Sequence, residues 1–301
     1  MRSEVKVTRP VRGRFPDFIV IGAMKSGTTS LYHYLAGHPQ IYMASVKELD
    51  FFVESGNWHR GLDWYARRFE AADDGATAGE ASTAYSKHPV IPGVPERIAG
   101  VVPGCKLIYV LRHPIDRIRS HYEHRVAIGS ERAPLSEAVI REPIYTVCSR
   151  YSTQIERYLD VFPREQLHVL TAEGLRNDRA ATMRRVFGFL GVDPNVTPPT
   201  IGREYYRTDG RARYPPAAAR LRSAIKQHVP GAKRAKELVD STLPRLVRFV
   251  PKASAPSPSI TASVPDPTRE TLVRMLRDDL DRLDEYLPGA VEGWSLDRDG
   301  R

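Results

Sequence analysis

The stretch DFIVIGAMKSGTTSLYHYLAGHP, residues 17–39, passes from an apolar run through a short glycine-bearing loop into a helical pattern. Residues 17–22 read as a strand. In the segment that follows, Leu31, Tyr34 and Leu35 share one face of a helix until Gly37 and Pro39 stop it. A loop between a strand and a helix start collects free backbone N–H groups and the positive end of the helix dipole, which together favour a bound phosphate. Gly22 and Gly27 have the separation of the nucleotide-triphosphatase pattern G-x-x-x-x-G-K-[ST]. Thr28, however, stands where that pattern needs its lysine, and Lys25 lies inside the loop instead. That displacement argues against magnesium-dependent hydrolysis of ATP or GTP.

The same rhythm continues outward. KLIYVLR, residues 106–112, is apolar throughout, as a strand covered on both faces should be, and Pro114 opens the helix after it. Tyr151, Ile155, Leu159 and Phe162 recur at helical spacing before Pro163, LHVLTAE at 167–173 reads as another strand, and residues 178–190 read as an amphipathic helix ended by Gly191. Alternating strands and helices predict an α/β protein, a P-loop-like three-layer fold with a central, mainly parallel sheet flanked by helices. A last helix starts at Asp266 and Pro267 and carries Leu272, Leu276, Leu280, Leu283 and Leu287 in one stripe, which predicts packing back on the core. Ahead of it, KASAPSPSITASVPDP at 252–267 is rich in Pro, Ser and Ala and reads as a flexible linker. The chain thus divides into a basic tail at 1–14, a domain formed by 15–215 and 266–296, and an insertion at 216–265.

Composition narrows the class. The 301 residues are 41% hydrophobic and 27% charged, enough apolar material for a substantial core. No apolar run approaches the roughly eighteen residues of a membrane span, and the basic N-terminus lacks the apolar stretch of a secretory signal, so a cytoplasmic protein is expected. The net charge of +9, from 45 Lys and Arg against 36 Asp and Glu, favours an anionic partner. The basic residues are scattered with no aromatic interleaving, so no nucleic-acid partner is expected. Cys105 and Cys148 lack metal-ligand spacing and read as buried structural thiols; no metal is expected.

K-S-G-T-T-S-L after an apolar strand resembles the 5′-phosphosulfate loop of sulfotransferases that use 3′-phosphoadenosine 5′-phosphosulfate (PAPS). The resemblance implies that Lys25 contacts the bridging oxygen and the sulfuryl group, while Ser26, Gly27, Thr28, Thr29 and Ser30 hold the 5′-phosphate. YVLRHPIDRIRSHY places Arg112 at a strand end and Ser120 eight residues on in the next helix, similar to the pair with which these enzymes bind the 3′-phosphate. In KELDFF, Glu48 sits ahead of Phe51 and Phe52, as the base does in glycan sulfotransferases related to the heparan sulfate enzymes. A glutamate partly desolvated by those rings would accept the acceptor's proton. Two positions depart from the relatives: Asp50 stands where they commonly have His, and in EASTAY at 80–85 their lysine is Ala81, leaving Lys47 or Lys87 as substitutes and Ser82 and Thr83 facing the acceptor. TDGRARYP at 208–215 resembles the loop that covers the nucleotide, with Gly210, Arg211 and Arg213 as its equivalents.

The resemblance implies a sulfuryl transfer from PAPS to a hydroxyl or amine of a small-molecule, lipid or glycan acceptor, by in-line displacement, with adenosine 3′,5′-bisphosphate as the product. Two other readings stay open. One is a nucleotide kinase or other phosphoryl transferase, against which Thr28 counts. The other is a non-catalytic nucleotide-binding protein, against which the joint presence of Lys25 and Glu48 counts. Should Glu48 not serve as base, His33, His88 and His124 are next in line.

Overall fold

The computed structural model describes residues 13–203, 205, 264–289, 293, 294 and 296. The expectations for Gly210, Arg211 and Arg213, for the tail before residue 13 and for residues 216–263 lie outside the described residues.

Five strands form one parallel sheet: β1 Phe18–Gly22, β2 Ile41–Met43, β3 Thr77–Ala81, β4 Lys106–Leu111 and β5 Leu167–Thr171, in the spatial order β2-β3-β1-β4-β5. The described helices are α1 Thr28–Ala36, α2 Gly61–Ala66, α3 Val94–Val101, α4 Pro114–Ala127, α5 Leu135–Arg141, α6 Ile144–Val147, α7 Tyr151–Leu159, α8 Ala172–Asn177, α9 Arg179–Leu190 and α10 Asp266–Tyr286. The expected three-layer arrangement follows from the pleat, which sends alternate side chains to opposite faces. Ile19 and Ile21 of β1 join Leu107, Tyr109 and Leu111 of β4 in one core, closed by Ile98 of α3 and Tyr151, Ile155 and Tyr158 of α7. Phe18 and Val20 join Ile108 and Val110 in the other, closed by Leu31, Tyr34 and Leu35 of α1 and Met183, Val186 and Phe187 of α9. Both faces being covered, the central strands read as continuous apolar runs.

β3 is the strand without such a run. Its sequence TAGEA is poor in β-branched residues, and Gly79 is there because a Cβ would come within 2.2 Å of the Phe18 ring on the neighbouring strand. β5 ends two residues earlier than its apolar pattern suggests. The Thr171 side chain accepts from the Gly174 N–H at 3.1 Å and caps a new helix, so Ala172 and Glu173 belong to α8.

α10 docks through Leu272, Leu276 and Leu283, all fully buried, while Leu287 lies just past its end. Asp279 is buried on the same face. It accepts from the N–H groups of Ser152 and Thr153, each at 3.0 Å, and from the Thr153 hydroxyl at 2.8 Å, so a carboxylate from α10 caps the start of α7. Cys105 and Cys148 are buried free thiols. No helix among the described residues is long and apolar enough to cross a membrane.

Candidate active site

In a parallel sheet of this order the crevice for ligands lies beyond the carboxyl ends of the central strands. The chain leaves β1 there through Gly22–Gly27 and enters α1. Lys25 holds a left-handed backbone, φ 73, and Gly27 caps α1 with φ 90. No side chain caps the helix start and no acidic residue occupies its first turn, so its N–H groups face outward for an anion. A Cβ built on Gly27 would meet nothing within 4 Å, whereas one on Gly22 would collide with the Ser86 hydroxyl at 1.9 Å. The first glycine therefore serves close packing and the second leaves room over the helix start. Ser26 is fully buried, and its Oγ has no hydrogen-bond partner among the described residues. Thr28 is buried, Thr29 is half-buried, and Ser30 is engaged elsewhere, donating to the Tyr205 carbonyl at 3.1 Å.

Two arginines from the β4–α4 segment fix this loop. Arg112 donates to the Lys25 carbonyl at 3.2 Å, and Arg117 donates to the Met24 carbonyl at 3.4 Å. Arg117 is wholly buried and structural, with its other bonds going to the Ser149 hydroxyl at 2.5 Å and the Tyr145 carbonyl. Arg119 pairs with Asp116 at 2.9 Å. The Arg112 carbonyl accepts from Tyr151 at 2.7 Å, and the Trp294 ring lies 6.0 Å from that of Tyr151, so the far end of the chain closes on the same strand end. Burial pushes the Arg112 guanidinium below its usual pKa, with Asp116 opposing and Arg176 adding to the shift. A desolvated cation of this kind is one that a phosphate would complement. Ser120, on α4, is buried.

Glu48 lies on the loop that follows β2. Its backbone is left-handed, φ 61, as is that of Asp50, φ 48. Backbone of this kind in non-glycine residues costs about 1–3 kcal/mol each and persists only where the surroundings enforce it. The Glu48 N–H donates to the Ala81 carbonyl at 2.9 Å. Its carboxylate accepts from the Thr83 N–H at 2.7 Å and the Thr83 hydroxyl at 3.0 Å on one oxygen, and pairs with Lys47 on the other. Lys47 thus stands beside the Glu48 carboxylate. Lys87 and Lys47 both act on Asp50, whose carboxyl is raised by burial and by Glu48 and lowered by these two cations. Phe51 and Phe52 turn into the core, where the Phe51 ring stacks on Tyr65 at 4.2 Å. Ser82 is fully buried and points inward, contrary to the expectation that it faces an acceptor; Thr83 is spent on Glu48. Of the alternative bases, His33 stacks on Tyr205 at 4.0 Å, and the His88 backbone is held at both N–H and carbonyl by Gln154.

Sequence reading missed Glu80. It is wholly buried in β3, accepts from Tyr65 at 2.7 Å, Ser82 at 2.7 Å and Tyr85 at 2.9 Å, and burial pushes its carboxyl up to about 7 against those three hydrogen bonds. The one available signal was the carboxylate in EASTAY flanked by hydroxyl residues two and five positions on.

Known proteins resemble this chain in sequence and fold. The profile of the family described as "Sulfotransferase domain" matches residues 15–205. Two human proteins, bifunctional heparan sulfate N-deacetylase/N-sulfotransferase 2 and 3, are 32% and 36% identical over 203 residues, 60% of this chain. This chain spans about a quarter of their length, 22% and 23% respectively. A sulfotransferase of known crystal structure from Alicyclobacillus acidocaldarius is 31% identical, with a TM-score of 0.56 over 75% of this chain and 96% of that one.

Proposed function

Since this chain belongs to the sulfotransferase domain family, we propose that it moves a sulfuryl group from PAPS to a hydroxyl or amine of a small-molecule, lipid or glycan acceptor and releases adenosine 3′,5′-bisphosphate. The observation that carries this reading is the bond from Arg112 to the Lys25 carbonyl. It ties the loop suited to a 5′-phosphate to the strand end suited to a 3′-phosphate, so one nucleotide carrying both would engage both at once. The residues fit such a ligand: a helix start without a capping side chain, open space over Gly27, an unpartnered Ser26 hydroxyl and a desolvated arginine.

In the transfer, the acceptor oxygen or nitrogen attacks sulfur from the side opposite the bridging oxygen. A new bond to sulfur forms as the bond from sulfur to the bridging oxygen breaks. Glu48 takes the proton that the acceptor loses. Its carboxylate is held for this by the Thr83 N–H and hydroxyl, which leave lone pairs for the acceptor, and by Lys47. Lys25 and the α1 N–H groups stabilise the charge that builds on the departing phosphate, the place where fixed donors lower a barrier most. Arg112 and Ser120 hold the 3′-phosphate.

Calorimetric titration with adenosine 3′,5′-bisphosphate, beside 5′-AMP as the analogue lacking the 3′-phosphate, tests the reading. A preference of roughly tenfold or more for the bisphosphate, about 1.4 kcal/mol, is expected. Equal affinity for the two, or no binding of either, would remove the Arg112 and Ser120 site and with it the PAPS assignment.

A further inference from the structure

The buried groups behind Glu48 form a directional hydrogen-bond relay. Ser82 Oγ and the Tyr85 hydroxyl each carry a single proton, and both give it to the Glu80 carboxylate, at 2.7 and 2.9 Å. Their oxygen lone pairs are thereby left for incoming donors. Ser82 Oγ accepts from the Asp50 N–H at 3.1 Å, and the Tyr85 oxygen accepts from the Phe51 N–H at 3.0 Å and the Phe52 N–H at 3.4 Å. Three successive N–H groups just beyond Glu48 are thus held by hydroxyls whose orientation one carboxylate sets. Glu48 and Asp50, both left-handed, bracket the start of this segment. Tyr65 is the informative exception: it also donates to Glu80, at 2.7 Å, but no hydrogen bond links its hydroxyl to the loop.

We infer that Glu80 is a positioning residue for the candidate base: by taking the protons of Ser82 and Tyr85 it turns both oxygens toward the N–H groups of residues 50–52 and so holds the Glu48 carboxylate where it meets the acceptor. This rests on Glu48 being the base of a sulfuryl transfer. An amide in place of the carboxylate cannot accept three protons. Its NH₂ must point at Ser82 or at the tyrosines, which strands a hydroxyl proton in a dry site or turns a lone pair away from the loop.

The test compares Glu80→Gln, Tyr85→Phe and Tyr65→Phe with the native chain by three readouts: kcat for sulfuryl transfer, Kd for adenosine 3′,5′-bisphosphate, and amide hydrogen exchange. Glu80→Gln and Tyr85→Phe should each lower kcat by roughly 10- to 100-fold, the cost of misplacing a reacting group by a fraction of an ångström to an ångström. Exchange at residues 50–52 should quicken, with the Kd for the bisphosphate and the exchange of β1 amides unchanged. Tyr65→Phe should leave kcat and loop exchange near native. Native exchange or native kcat in Glu80→Gln would overturn the proposal, as would a Tyr65→Phe variant as impaired as Tyr85→Phe. If Glu80→Gln does not fold, Tyr85→Phe and Ser82→Ala decide by the same readouts. A native chain that binds the bisphosphate but moves no sulfuryl group would instead break the proposed function, and exchange at residues 50–52 would still decide whether Glu80 anchors the loop.

Discussion

The loop carrying Lys25 and the loop carrying Glu48 both set a charged residue in left-handed backbone, φ 73 and φ 61, yet they are secured by opposite means. In the first, arginines seize backbone carbonyls: Arg112 holds that of Lys25 and Arg117 that of Met24. In the second, hydroxyls of Ser82 and Tyr85 accept backbone N–H groups, and a buried carboxylate orders the hydroxyls. Arg112, which braces the first loop, is also the residue proposed to hold the 3′-phosphate, so in that reading the loop's support and its affinity for phosphate are coupled. The second loop is braced from within by Ser82, Tyr85 and Glu80, none of which belongs to the proposed nucleotide site. Its geometry can therefore be disturbed while nucleotide affinity stands, and that separability is what experiment can exploit.

The largest expected effect breaks the comparison at the Glu48 loop. Glu48→Gln keeps the shape and an acceptor oxygen for Thr83 but cannot take a proton, so turnover should fall roughly 10²- to 10⁴-fold, with PAPS affinity intact in equilibrium binding. An active Gln variant would move the base elsewhere. Next is Lys25→Ala in the other loop, where a turnover loss of roughly 10²- to 10³-fold should exceed any loss of PAPS affinity if the lysine acts mainly on the leaving phosphate. Unchanged turnover in single-turnover kinetics would remove Lys25 from the mechanism.

The smallest effect sharpens the comparison through stability. The Glu80 carboxyl is pushed from its ordinary 4.5 up to about 7, chiefly by burial, while Tyr65, Ser82 and Tyr85 pull it down and Asp50 pushes it up. A folded state that holds this proton more tightly than the unfolded chain loses stability as pH rises from about 4.5, and the loss is complete above about 7. Its full size is about 3 kcal/mol. Urea unfolding between pH 4.5 and 8 should show the native chain weakening across this window and the Glu80→Gln variant lacking that part of the slope. Parallel curves for the two would mean that Glu80 is ionised throughout.

How much of this was legible follows the same division. DFIVIG and KLIYVLR advertise β1 and β4 because strands covered on both faces read as nearly continuous apolar runs, and LHVLT advertises the edge strand β5 by a shorter run in which His168, Val169 and Thr171 are only half-buried. β3 was hidden, since TAGEA carries a glycine forced by the Phe18 ring and a carboxylate that only a nest of hydroxyls makes tolerable. The two-residue overrun of β5 came from a threonine acting as a helix cap within an otherwise β-like run. Asp279 broke the leucine stripe of α10 for a partner, the start of α7, that is more than a hundred residues away in the chain.

By itself the sequence determined the parallel α/β layers and the strand–loop–helix passage that carries Lys25, because each rests on neighbours within about two helical turns and on periodicities that local geometry imposes, while the pairing of Arg112 with Ser120 rests on the family resemblance. Only the tertiary structure decided how Glu48 is held, that Ser82 faces inward, and that Glu80 orders the hydroxyls which hold the loop after Glu48. Those facts depend on hydrogen bonds between segments some thirty residues apart, such as Asp50 with Ser82 and Phe51 with Tyr85. In such bonds a polar residue's role is set by the donor or acceptor that folding brings to it, and the one-dimensional pattern carries no record of which that will be.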